Sequence, residues 1–139
     1  MKSKFLTELE VKLIDDDKIW ELLSPLRYYS EILGREVEAP TGFQTDLASV
    51  PRVPIAYYFW GARCHREAVI HDLLCRIDSD PVVNLDTANN IFQEAMIVRK
   101  KPLYIRKPMY WGVCIGTWKY FHKRNVERFL TDNHSLLKN

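Results

Sequence analysis

The chain has 139 residues, of which 47% are apolar and 27% charged, with a formal net charge of +2. This composition excludes a disordered or low-complexity segment and leaves room for one compact domain with a real core. A net charge so near zero argues against a protein built to coat nucleic acid, which is therefore not an expected partner.

Phe5 to Leu13 alternates apolar and polar residues with the period of two expected of a half-buried strand, and Asp15-Asp16-Asp17 breaks it. Ile19 to Leu23 reads as a second strand, ended by Ser24-Pro25. Leu26 to Leu33 and Glu36 to Ala39 flank Gly34-Arg35 as the arms of a hairpin. A small antiparallel sheet of three or four strands is expected. Pro40 and Gly42 then open the loop Gly42-Phe43-Gln44-Thr45-Asp46-Leu47-Ala48-Ser49-Val50-Pro51-Arg52.

After Pro51 the period becomes helical. Arg66 to Ile77 is expected to be a helix with Ile70, Leu73, Leu74 and Ile77 as its apolar stripe, stopped by Asp78-Ser79-Asp80-Pro81. Asn84 or Asp86 can cap a second helix, in which Ala88, Ile91, Phe92, Ala95 and Met96 recur at helical spacing and which Lys101-Pro102 ends. Pro108 suits the first position of a third helix running to about residue 128. The fold class is α+β: one domain, strand-rich over 1–50 and helical over 51–139, with three main helices packed on the N-terminal sheet.

The longest apolar stretch, Met109 to Phe121, is too short to span a bilayer and contains Lys119. The N-terminus has no apolar run of the kind a secretory signal carries. Cys64, Cys75 and Cys114 are odd in number and lack a Cys-x-x-Cys spacing, which fits free thiols in a reducing compartment. Charge is uneven along the chain. From Ile97 onward ten Lys or Arg face only Glu127 and Asp132. Such a basic third is either a solvated helical surface or a face for an anionic partner. The last helix is apolar nearly all round and contains Gly112 and Gly116, so it is either a core helix or a surface through which copies of the chain associate.

The chemistry-bearing residues concentrate in the glycine-led loop and the helix after it. Thr45, Asp46, Ser49 and Arg52 place a carboxylate, two hydroxyls and a guanidinium in one short segment. Asp46 reads equally as a functional carboxylate and as a cap for the segment beginning at Pro51, since a desolvated carboxylate needs a partner in either role. His71 and Asp72 follow on the first helix, pointing about 100° apart. Glu67, four residues before His71, is spaced to hydrogen-bond one ring nitrogen and fix the tautomer.

Taken with Ala68-Val69-Ile70-His71-Asp72-Leu73-Leu74, the loop resembles a family of phage and prophage domains of unknown function. That family is marked by a Gly-Phe-x-Thr-Asp-Leu-Ala-Ser-Ile/Val-Pro-Arg loop and a His-Asp-x-Leu-Tyr helix. The similarity runs from about Ile32 to Trp118 and implies a phage setting, in the host cytoplasm or the virion, with phage structural proteins or a host protein as partners. Two positions depart from the pattern: Cys75 stands where the family has Tyr, and Asn89 where its next helix has Asp.

The His-Asp helix is also similar to that of secreted phospholipases A2. This likeness implies His71 as general base, Asn89 as its orienting partner, and Asp72 with Asp46 as ligands of a divalent cation, calcium or magnesium. By residue type the site favours a small hydrolase, metal-assisted, acting on an ester, phosphodiester or amide. In the alternative reading, Thr45, Asp46, Ser49, Arg52 and His71 form a buried network in a non-catalytic protein. Such a protein would make contact through Tyr57, Tyr58, Trp60, Tyr104, Tyr110 and the basic segment from Arg99 to Lys107.

Overall fold

The computed structural model describes residues 1–14, 19–45, 64–76 and 78–116. Six strands come first: β1 (Lys4–Phe5), β2 (Val11–Ile14), β3 (Ile19–Leu22), β4 (Leu26–Ser30), β5 (Arg35–Ala39) and β6 (Gln44–Thr45). Three helices follow: α1 (His65–Leu74), α2 (Leu85–Val98) and α3 (Leu103–Gly116). The α+β class is as expected. No helix among the described residues is long and apolar enough to cross a membrane.

The strands form two antiparallel three-stranded sheets rather than one, with orders β1-β4-β5 and β2-β3-β6. The long alternating run 5–13 is divided between them, because β1 pairs with β4 while β2 pairs with β3. Period two records which face a residue takes but not which strand it will pair with. In the β4–β5 hairpin Leu26 lies opposite Ala39 and Tyr28 opposite Val37, all four buried, while on the outer face Arg27 pairs with both Glu36 and Glu38. The turn ends at Gly34, whose φ of 64° lies in the region that glycine enters without steric penalty.

Helix α1 packs against α2 and β5, and α2 against α3 and β4. It is buried on nearly every side, from Glu67 through Leu74 with only Asp72 partly open. Glu67 and His71 therefore have no solvent face to occupy, whereas His65 at the start of the helix is exposed. Asn84 caps α2, its side-chain oxygen accepting the Thr87 N–H at 2.8 Å. Ala88, Ile91, Phe92, Ala95 and Met96 all face the interior, as their spacing requires.

Helix α3 begins at Leu103, five residues before the expected start at Pro108. Pro102 accepts the first helical hydrogen bonds, from the N–H groups of Ile105 and Arg106, after a turn in which Lys100 has a φ of 56°. Pro108 sits inside the helix, where it removes one N–H from the ladder near exposed Tyr104. Ile105, Met109 and Val113 form the buried face and join Cys64, Phe92 and Met96 in a second core cluster. Among the described residues α3 has one buried face and one open one, the open one carrying the apolar Leu103, Tyr104 and Trp111, and the expected continuation to about residue 128 lies outside the described residues.

Candidate functional site

His71 lies in the middle of α1 and is 1% exposed. Its Nε2 is 2.8 Å from Oδ1 of Asn89 on α2, and the Asn89 amide nitrogen in turn donates to Sγ of Cys114 on α3 at 3.6 Å. With the amide oxygen facing the ring, Nε2 carries the proton and Nδ1 holds the lone pair. The Cys75 thiol lies against the ring, 3.7 Å from Nδ1 and 3.6 Å from Nε2, and the Phe92 ring packs beside it with centroids 5.1 Å apart. A polar chain Cys75–His71–Asn89–Cys114 thus crosses all three helices.

Burial pushes the His71 pKa down to about 4, opposed only by the hydrogen bond to Asn89. An aspartate in place of Asn89 would hold an imidazolium by charge, whereas an amide orients the ring without compensating its ionisation. Burial also pushes both the Cys75 and the Cys64 thiols up to about 12, so neither is a thiolate at neutral pH.

Glu67 does not reach His71, and the expected hydrogen bond between them is corrected. The ring takes Asn89 as its partner, while Glu67, also 1% exposed, keeps an Oε1 with no hydrogen-bond partner. Burial raises its pKa, against the lowering effect of its own backbone N–H and of Lys101, Arg99 and Arg66. Asp72 is half-buried and lies on the side of Cys75 and Arg76, whose pKa values it raises. Thr45 is buried at the end of β6, opposite Trp20. Asp46, Ser49 and Arg52, with Tyr57, Tyr58 and Trp60, lie outside the described residues.

Of the expected catalytic group, the structure therefore brings together His71 and Asn89. Among the described residues no three His, Cys, Asp or Glu side chains converge on a point where a metal could sit. Of the two expected cation ligands, Asp72 lies among the described residues and Asp46 does not.

The beginning of the glycine-led loop meets α1 at a different place. A groove of about 650 Å³ is lined by Gly42, Phe43 and Gln44 on one side and by Leu73, Arg76 and Asp78 on the other, without His71 or Asp72. Arg76 stacks over Phe43 at 5.5 Å from the ring centroid and is held by Asp78 at 2.9 Å. Sequence reasoning missed this pairing, although Arg76 and Asp78 two apart after a helix carried a hint of it. It also missed Glu94, which accepts from the buried Tyr28 hydroxyl at 2.8 Å and from the Ile32 N–H at 3.1 Å, tying α2 to the first sheet. Both partners lie more than 60 residues away in sequence, beyond any local pattern.

One family model matches residues 20–113, from β3 through most of α3. The chain belongs to the family Protein of unknown function (DUF1353). The matched span of this DUF1353 chain holds the whole polar chain except its last member, Cys114. No curated protein and no solved structure gives a match.

Proposed function

We propose that this protein is a non-catalytic, phage- or prophage-encoded accessory that acts by binding, with His71 and Asn89 as internal fastenings of its helices. The observation that carries this reading is the packing of His71: 1% exposed, enclosed by Phe92 and Cys75, and bonded to an amide rather than a carboxylate. A general base at neutral pH works best with a pKa near the operating pH and needs a route for water. Buried polar residues with their hydrogen bonds made instead specify one packing of the helices.

One observation favours the second reading, a hydrolase with His71 as base. Asn89 holds the Nε2 proton and leaves the lone pair on Nδ1, and Asp72 follows directly on the same helix. Both readings are tested by assaying wild type, His71→Ala and Asn89→Asp on ester, phosphodiester and amide substrates with calcium and magnesium present, alongside thermal melts. The binding reading expects no turnover by any of them and a lowered melting temperature for His71→Ala. Turnover by wild type that His71→Ala abolishes while staying folded would overturn it, and a further gain in Asn89→Asp would establish the base.

A further inference from the structure

Helix α3 carries a face that the interior does not use. Ile105, Met109 and Val113 are buried, whereas Leu103, Tyr104, Lys107 and Trp111 fall within about 100° of arc on the other side at 100° per residue. Leu103, Tyr104 and Trp111 are each more than half exposed, as is Ile97 at the end of α2. Arg99 and Lys100 are exposed in the turn that leads into α3, Lys101 is half-buried there, and Lys107 is exposed within the helix. None of these four cations, nor Arg106, makes an ion pair among the described residues, and Arg106 Nε is buried without a hydrogen-bond partner. The first turn of α3 has no acid, so the partial positive charge of the helix N-terminus adds to this field. In sequence, no Asp or Glu occurs between Glu94 and Glu127.

We propose that this outer face of α3, with the turn before it, docks on an anionic lipid bilayer. The inference rests on the binding reading above and names the partner's chemistry. Three properties select this occupant. Five cations that make no ion pair among the described residues would repel the same face of a second copy, so a two-fold dimer through it is disfavoured. Ile97 and Leu103 gain nothing from stacking on bases, which is how exposed side chains hold a single-stranded nucleic acid, but they gain by entering hydrocarbon. Trp and Tyr beside Lys on one helix side match the boundary between headgroups and acyl chains, with the aromatic bodies in the apolar layer and the ammonium groups at the phosphates. The helix lies on such a surface and does not cross it.

The test is flotation of the purified full chain with vesicles of three parts phosphatidylcholine to one part phosphatidylglycerol, or of phosphatidylcholine alone, at low and high salt. Wild type is expected to float with the anionic vesicles only, and less so as salt rises. Lys100→Glu/Lys107→Glu is expected to weaken this at least about tenfold, since each cation near an anionic surface contributes about a fivefold gain. Trp111→Ala/Leu103→Ala should also weaken it, while Lys12→Glu on the second sheet should not. Circular dichroism confirms that each variant is folded, as exposed positions allow.

Failure of wild type to float, or flotation that charge reversal leaves unchanged, overturns the inference. Binding to a single-stranded oligonucleotide in place of vesicles overturns it too, as does self-association lost in Trp111→Ala/Leu103→Ala. Lipid breakdown is followed in the same tubes. Breakdown that His71→Ala abolishes would overturn the binding-only reading and leave the docking surface standing, whereas absence of flotation removes the surface and leaves that reading intact.

Discussion

Helix α1 turns a carboxyl and an imidazole inward, where burial disfavours the charged form of each, whereas α3 and the turn before it carry cations that make no ion pair among the described residues. The two helices differ in how much of their surface the fold covers. On α1 desolvation decides the protonation state, so pH acts directly on stability. On α3 solvent carries the charge, so stability is indifferent to it and the effect appears only toward an outside partner. Polar groups in the covered region should be costly to remove and sensitive to protons. Those in the open region should be neither.

The sharpest break between the two regions is expected from a matched pair of truncations. Phe92 is fully buried beside His71, and Phe92→Ala should destabilise by about 3–5 kcal/mol through lost burial and the cavity left behind. Trp111 is larger but exposed, and Trp111→Ala should change stability by no more than about 0.5 kcal/mol. Urea unfolding measures both. A comparable loss in the two variants would mean that α3 has no open face.

Next in size is the pH dependence set by His71. Its pKa in the native state is about 4 against an ordinary 6.5, so between these values the unfolded chain binds the extra proton and the native state does not. Stability from this source is complete above pH 6.5 and falls as pH drops to 4, by about 3 kcal/mol in all. Urea melts from pH 7.5 to 4, with His71→Gln as the control that lacks the slope, measure it. An imidazole titrating near 6.5 by NMR in the folded protein would show that the ring is hydrated.

Asn89 should come third. Asn89→Leu leaves the Nε2–H of His71 without an acceptor in a dry site, which costs about 1–3 kcal/mol. Asn89→Asp should do something different: a carboxylate 2.8 Å away favours the imidazolium, so the His71 pKa moves up and the acid slope shrinks. An unchanged slope in Asn89→Asp would dissociate the two residues and weaken the three-helix fastening.

What could be read from the sequence divides along the range of the interactions. The Asn84 cap, the apolar stripe of α2 and the Gly34 turn depend on residues within four positions of each other, and each stands where the local pattern put it. The His71–Asn89 contact spans 18 residues and was reached only through a family resemblance. The division of 5–13 between two sheets, the start of α3 before Pro108 and the isolation of Glu67 all depend on pairings with distant segments. The spacing of Glu67 and His71 allowed a hydrogen bond. It could not show that Asn89 would occupy the ring first, nor that α1 would be enclosed on almost every side.

Glu67 gives the smallest of the expected effects and the one opposite in sign to His71. Its carboxyl is held above its ordinary pKa of 4.5 by burial, so the native state keeps a proton that the unfolded chain releases. Stability from this source is therefore complete below pH 4.5 and declines as pH rises, partly offset by Lys101, Arg99 and Arg66 nearby. Glu67→Gln keeps the shape and removes the ionisation. It should match wild type near pH 4 and become the more stable of the two toward pH 8, with a gap smaller than the acid loss set by His71. A variant less stable than wild type at pH 8 would mean that the carboxylate is ionised and held by those cations. The buried half of the molecule would then hold one charge after all, and the contrast with α3 would reduce to His71 alone.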